Sequence, residues 1–490
     1  MNIVESLQSI QFSLPHLASE WTLVFTFLLA FVIDVFFKSK KVVSSISFVG
    51  ICLSTFLVIN QTVYHPIDTK LFSGFYSISK PILQFKILLS IASIIALLPY
   101  FIGIIKVKSK EFFYLFPLFL LSANLLCMSN HLLSIFIGVE FLSILSYLYI
   151  AFEINSKNTA ESSSKYILFG AFASAIMLYG ITWLYGLTGT LHLDNVFLST
   201  LSKAPVSLVA MSLIMFVGGI LFKISAAPFH YYSPDVYEGS APSTIAFIST
   251  IPKIAGLSIL YSFVSHFHFN WEGTVLIWPN FSWEKTIAIL SISTMFIGNL
   301  SALSQKNLKR MMAYSSISHT GFLLISLVVF SDTGLNALFY YSLVYIISNF
   351  AVFFILHYWE SVFGVVSLTQ LVGLGKIKPW SSAMMIVVLA SLTGLPPLAG
   401  FVAKFFVFGA VFQQYQSSMS PWLLYVLIAG VLNTVIALFY YFNIARHLFL
   451  MSGTSTTVKV ETPASMKVLL GIITVLVAGL VLLGIFPISF

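Results

Sequence analysis

Residues 218–242 read GGILFKISAAPFHYYSPDVYEGSAP, and this stretch decides the fold. An apolar helical run reaches Lys223 and then meets Pro228 and Pro234. Each proline removes a backbone donor and clashes with the preceding turn, so the helix must break just beyond the lysine. The rest of the chain says which solvent surrounds that break. Of 490 residues, 58% are hydrophobic and 8% are charged, where a soluble domain carries about 25% charged residues. A chain this poor in charge cannot clothe itself with a water-facing surface, and the bilayer is its main solvent. Broken backbone at membrane depth is tolerated only beside protein or a water-filled cavity. The free helix ends it leaves are typical ion sites of transporters.

Outward from this break, runs of about 20 mostly apolar residues mark candidate spans. They fall at 19–37, 42–62, 81–105, 112–129, 131–152, 161–187, 206–226, 243–266, 285–304, 311–330, 334–359, 380–416, 421–447 and 466–488. The fold class is therefore an all-α membrane protein of about fourteen transmembrane helices, the long 380–416 segment being one interrupted span. With an even number of spans both termini share a side. Of the 24 Lys and Arg, fifteen lie in one set of alternate loops, and Lys70, Lys80, Lys203 and Lys285 in the other. The positive-inside rule puts the richer loops in the cytoplasm and both termini on the outer side. No basic region precedes the first apolar run, so that helix is expected to be retained rather than cleaved as a signal peptide.

The net charge of +8 does not point to nucleic acid. The cations form short clusters between apolar runs, such as Lys38, Lys40, Lys41 and Lys106, Lys108, Lys110, with no basic stripe interleaved with aromatics. Cys52 and Cys127, the two cysteines, sit in apolar runs and read as small buried hydrophobes. Cys/His metal spacing, a phosphate-binding glycine loop and haem or iron–sulfur signatures are all missing from the sequence. No cofactor is expected in this chain, and any redox chemistry belongs to a partner.

Five lysines fall inside spans or at their edges: Lys86, Lys165, Lys223, Lys253 and Lys404. A charge near the bilayer centre costs at least about 2.5–3.5 kcal/mol, so each needs an account. Lys86 opens its helix and is expected to snorkel to the headgroups. Asp34 lies four residues before Lys38 and is expected to pair with it at the interface. Glu140 is different: in LLSIFIGVEFLSILSYLYI, residues 132–150, it sits near the midplane on too short a stem to snorkel. It must pair with a cation or stay protonated, and a structural ion pair is one such outcome. Lys404 repeats the pattern of Lys223. In SLTGLPPLAGFVAKFFVF, residues 391–408, Gly394, Pro396 and Pro397 break the twelfth helix and the lysine follows in its second half. Lys253 stands beside Pro252. Lys165, four residues after Glu161, reads either as a helix-start pair or as a functional cation. His230 would share a face with Lys223 if the helix continued, and an imidazole suits a proton relay, although a hydrogen-bonded loop histidine is the plainer reading.

Hydroxyls gather on two further helices. Tyr341, Tyr345 and Ser348 follow i, i+4, i+7 spacing on the eleventh, and Tyr314, Ser315, Ser316, Ser318, His319 and Thr320 cluster on the tenth. Such faces commonly hold helices together; the alternative is a water-wire lining with His319 as its central relay. The halves look related. Helices 4–8 and 9–13 each contain a broken helix, and each block has five helices, so the second copy must insert upside down. This gives an N-terminal three-helix segment (1–111), a first repeat (112–266), a second repeat (285–447) and a C-terminal helix (448–490).

These residues resemble a known family. FKISAAPFHYYSPDVYEGSAP looks like the seventh-helix signature of the antiporter-like membrane subunits of respiratory complex I, the NADH–quinone oxidoreductase. ALSQKNLKRMMAYSSISHTGF, residues 302–322, looks like the loop into their tenth helix, and LTGLPPLAGFVAKFFVF like their twelfth. The resemblance covers roughly residues 80–450. PDVYEG and Lys404 fit the N-type; the M-type carries a glutamate at that lysine. The end of the chain after its fourteenth span leaves no room for the long extra helix of the L-type. The resemblance implies a proton-translocating subunit. Glu140 and Lys223 would be its coupled ion pair, Lys253 the central carrier, Lys404 the second-half carrier, and Lys165 and His230 accessory groups. It implies M-type and small K-, J- and A-type partners, with NADH, FMN, iron–sulfur clusters and quinone held by partner subunits. The main rival is a subunit of a multisubunit sodium/proton antiporter, which the lysine-rich interior disfavours because sodium wants oxygen ligands. A purely structural subunit, its charges only locking helices, is the other.

Overall fold

The computed structural model describes residues 3–37, 39–64, 68–107, 109–152, 157–268, 281–451 and 463–488. In chain order the helices are α1 (Ile3–Ser13), α2 (Ala18–Phe37), α3 (Lys40–Tyr64), α4 (Lys80–Phe101), α5 (Glu111–Met128), α6 (Leu132–Ala151), α7 (Lys157–Thr188), α8 (Asn195–Leu201) and α9 (Val206–Lys223). There follow α10 (Tyr232–Gly239), α11 (Pro242–Ile248), α12 (Ile251–His268), α13 (Trp283–Leu303), α14 (Leu308–Val328) and α15 (Asp332–Phe363). The chain continues through α16 (Leu374–Ile377), α17 (Pro379–Thr393), α18 (Ala399–Ser418), α19 (Pro421–Ala445) and α20 (Ala464–Ile485). Among the described residues thirteen helical segments are long and apolar enough to cross a membrane, and the shorter apolar α17 with α18 occupies the interrupted 380–416 segment.

Two of the expected breaks are present. α9 stops at Lys223, and Ser225 takes a left-handed backbone, φ 55°, before α10 begins. α17 ends on Gly394, also left-handed at φ 91°, and α18 starts at Ala399. The sequence reading missed a third break. The span expected at 243–266 is two helices, α11 and α12, parted at Ser249–Thr250 just before Pro252 and Lys253. It missed a hairpin too: β1 (Thr69–Leu71) pairs antiparallel with β2 (Tyr76–Ile78) in a chain expected to be all helix. The residues between the strands include Ser73 and Gly74 at positive φ, which a tight turn needs.

By compactness the chain divides into two units. One comprises 1–154, 166–224 and 251–282; the other comprises 155–165, 225–250 and 283–490. In the first unit α3 packs on both α2 and α4, α5 packs on α2 and α6, and α12 packs on α4, α5 and α9. In the second, α13 packs along α14, and α15 lies against α11, α14, α17, α18 and α20. Burial sorts helices by solvent. The apolar windows of α14 and α15 are 94% and 89% buried, whereas that of α20 is 22% buried and leaves most of its apolar surface uncovered by this chain. The polar residues of α14 and α15 are thus held inside protein, where hydroxyls can find partners.

Candidate functional site

In the first unit Lys223 is the last residue of α9 and is 3% exposed. An ammonium at a helix C-terminus faces the negative end of the macrodipole and the unpaired final carbonyls. Its Nζ donates to Ser143 Oγ of α6 at 3.1 Å. Glu140 lies three residues earlier on that helix, where i and i+3 are neighbours, and its Oε1 accepts from Ser174 Oγ of α7. Among the described residues, then, Lys223 and Glu140 are not in direct ion contact: each is hydrogen-bonded to a serine, and α6 carries both Ser143 and Glu140. Lys253 is 1% exposed and lies one turn before Gly256 on α12. A Cβ at Gly256 would sit 2.5 Å from Ile224 Cγ2 and 3.7 Å from Lys223 Cβ. Glycine there lets α12 close on the broken end of α9, which brings the segments bearing Lys223 and Lys253 together.

Two interfacial expectations change. Lys86 does not snorkel: it is fully buried, with Nζ 2.8 Å from Glu20 Oε1. It stands six residues into α4, about 9 Å along the axis from the helix start, and an internal carboxylate is nearer than the surface. Asp34 contacts Lys110 at 3.3 Å; Lys38, its expected partner, lies outside the described residues.

The second unit gathers a longer polar chain. His319, 5% exposed, lies between two phenols, its Nδ1 2.9 Å from Tyr341 Oη and its Nε2 3.2 Å from Tyr441 Oη. Tyr441 also meets Ser315. Tyr345 bonds Ser316 at 2.8 Å and donates to the Ser249 carbonyl at 3.3 Å, while Asn349 Nδ2 donates to Ser249 Oγ at 2.5 Å and to the Ala246 carbonyl at 3.4 Å. A hydroxyl and an amide of α15 therefore satisfy the backbone freed where α11 ends. Lys404 is 5% exposed; its Nζ donates to the Thr393 carbonyl at 2.9 Å and sits 4.5 Å from the Phe322 ring centroid. It caps the broken end of α17, whereas Lys223, the last residue of α9, turns to Ser143 of α6; a buried lysine thus lies at a helix break in each unit. One small cavity is lined by His319, Tyr341, Tyr345, Ser348 and Lys404. Ser348 Oγ has no hydrogen-bond partner among the described residues.

Lys165 and His230 fall elsewhere. Lys165 Nζ lies 2.7 Å from both Glu161 and Asp235, so the i, i+4 pair is present and is extended. Arg310 contacts Asp235 at 2.7 Å and Glu238 at 2.9 Å, and Lys309 contacts Glu360 at 3.3 Å. The cap on α14 sets this up, since Asn307 Oδ1 accepts from the amides of Lys309 and Arg310. Burial would raise the Asp235 carboxyl, but hydrogen bonds from Lys165 and Arg310 outweigh it and hold the group below the usual carboxylate range. His230 is 4% exposed and stacks on Tyr231, ring centroids 4.4 Å apart. Because α9 ends at Lys223, the shared face expected of a continuous helix does not form. The sequence reading did not single out Glu20, Ser143, Ser174, Asp235, Arg310 or Tyr441. Glu20 and Asp235 had a usable signal, an acid flanking an apolar run; the others acquire meaning only from their partners.

A family model described as NADH:quinone oxidoreductase/Mrp antiporter, transmembrane region, matches residues 129–437. The chain belongs to that family. A curated relative, NADH-quinone oxidoreductase subunit N 2 of Sorangium cellulosum, is 37% identical over 372 residues, 74% of this chain and 71% of its own. Among solved structures, a chain of respiratory complex I from Thermus thermophilus with bound aureothin is 25% identical, with a TM-score of 0.77 over 96% of this chain and 97% of that one. A chain of the Mrp complex from Dietzia, 18% identical, superposes with a TM-score of 0.78 over 96% of this chain and 94% of its own, a likeness of fold. Membership places the breaks at Lys223 and Lys253 and the His319 region all within the matched segment.

Proposed function

We propose that this chain is a proton-translocating, non-redox membrane subunit of an NADH–quinone oxidoreductase, of the N type. A buried lysine at the broken end of a helix, present once in each unit as Lys223 and as Lys404, carries the reading. A buried ammonium persists only while acceptors or a carboxylate stabilise it, and it releases its proton when they withdraw. Glu140 and Lys223, each held by a serine, can change separation through small side-chain moves and so load or unload the lysine. Lys253 is the central carrier of the first repeat (112–266). His319 and Lys404 carry the proton in the second (285–447), which is inverted relative to the first. Lys165 and His230 are accessory groups. The name borne by the Sorangium relative and the lysine-rich interior support this assignment. NADH, FMN, iron–sulfur clusters and quinone are held by partner subunits, and quinone reduction there supplies the drive. The chain lies in a bacterial inner membrane beside M-type and small K-, J- and A-type subunits, with both termini periplasmic.

Vesicles containing the complete complex provide the test. Lys223→Ala is expected to abolish most proton uptake per NADH oxidised, and Glu140→Asp, which keeps charge but shortens reach, to reduce it partly. Normal assembly with unchanged uptake per NADH would refute the roles. Because the family spans both complexes, a second reading is a subunit of an Mrp-type sodium/proton antiporter. Mild purification followed by mass spectrometry separates them: flavin and iron–sulfur subunits co-migrate in the first case, and small antiporter subunits alone in the second.

A further inference from the structure

Glu20 and Lys86 lie outside both five-helix repeats and outside the mechanism above. Their salt bridge is 2.8 Å, and the residues are 3% and 0% exposed. Ser19 touches both: its Oγ donates to Glu20 Oε2 at 2.8 Å and accepts from Lys86 Nζ at 3.2 Å. Asn124 of α5 approaches Glu20 Oε1 through Nδ2 at 3.5 Å, while its Oδ1, in a fully buried residue, has no partner among the described residues. Cys127, also on α5, is a further titratable neighbour of Lys86. A buried pair of this kind is weak support for stability, since well-packed apolar replacements are often neutral or better. An intramembrane pair is therefore read first for function.

The second observation is access. Ser19 itself lines an open cavity at the start of α2 and the end of α3, with His16, Asn60 and Gln61 in the same wall. The cavity volume is about 440 Å³, well above the ~30 Å³ share of one water. One hydroxyl thus stands between an open cavity and a buried ion pair, and the Asn124 amide oxygen beside that pair has no partner among the described residues.

We propose that Ser19, Glu20 and Lys86 form an additional proton-exchange site of the first unit, served by water in this cavity. A protonated cavity water gives a proton to Ser19 Oγ as Ser19 passes its own to Glu20 Oε2, and neutral water is left in the cavity. The carboxylate becomes neutral, its hold on the Lys86 ammonium is lost, and reversal of the same two transfers returns the proton. No other reactant is consumed.

The inference rests on the proton-translocating reading, so its test runs beside Lys223→Ala. The complete complex carrying Glu20→Gln with Lys86→Met, near-isosteric and uncharged, is reconstituted, and NADH oxidation and proton uptake are followed together. Expected is normal assembly with a loss of proton uptake per NADH. Unchanged uptake per NADH overturns the site while Lys223→Ala still abolishes pumping; if Lys223→Ala is also without effect, the translocation reading itself has failed. Should the double variant not assemble, Ser19→Ala keeps both charges and decides in the same two ways: reduced uptake per NADH supports the site, and wild-type uptake overturns it.

Discussion

At the scale of single residues, the centre of the first unit is held by serines. Lys223 bonds Ser143 and Glu140 meets Ser174, so the carboxylate and the ammonium are neighbours on α6 and α9 without a locked salt bridge. A direct buried pair would be costly to open, because each separated charge would lose its partner inside a low-dielectric interior. Hydroxyls, which donate and accept, stabilise either protonation state at small cost. The packing around them is tight at one point. Gly256→Ala would put a Cβ 2.5 Å from Ile224 Cγ2, an overpacking expected to cost about 1–3 kcal/mol. A lower melting temperature of the solubilised complex, together with reduced proton uptake, would show it. Gly409→Ala on α18 is the control: among the described residues no neighbouring element comes within 4 Å of the methyl it would add, and Ala is about 0.5–1 kcal/mol better than Gly inside a helix. Equal effects of the two variants would refute the close-contact argument.

At the scale of elements, breaks and caps position the chemistry. α17 ends where Lys404 meets its last carbonyl, α9 ends on Lys223, which bonds Ser143, and the Ser249–Thr250 break ahead of α12 is satisfied by Tyr345 and Asn349 of α15. The start of α6 shows the same economy outside the spans. His131 is its N-cap, with Nδ1 accepting from the Leu133 amide at 3.2 Å and the ring stacked on Phe75 of the hairpin region. Burial and then the neighbouring His192 push His131 down to about 4. A neutral imidazole is what the cap needs, since a protonated one cannot accept. With the folded pKa below the unfolded value near 6.5, the cap's stabilisation is complete above that value and is lost as pH falls toward about 4. His131→Asn keeps an N-capping acceptor and removes the titration. Its thermal stability is expected to fall less than wild type between neutral pH and pH ~5, the upper part of that window; parallel curves would exclude the His131 contribution.

At the scale of the whole molecule, the proposed topology is open to a direct check. In a background lacking Cys52 and Cys127, Ser304→Cys should react with an impermeant thiol reagent from the cytoplasmic side and Thr333→Cys from the opposite side, since α14 crosses between them. Labelling of both from one face would overturn the span map in that region. Much of the architecture was legible in the chain: apolar runs gave the spans, prolines at 228, 396 and 397 gave two of the breaks, and motif resemblance gave the family. The break at Ser249–Thr250 escaped, because Pro252 lies within the first turn of α12, where proline is equally at home in an unbroken start. The Thr69–Ile78 hairpin escaped because it is short and lies between spans. Composition and periodicity by themselves determined that this protein lives in a bilayer and which lysines are too deep to be accidental, since the cost of burying charge in lipid depends on depth along one helix. Only the tertiary structure decided what each charge meets: that Lys86 turns inward to Glu20, that Glu140 and Lys223 are each held by a different serine, and that His319 and Lys404 line one cavity. Those contacts join residues tens of positions apart, and a pairing between separate helices leaves no trace in the local pattern of either.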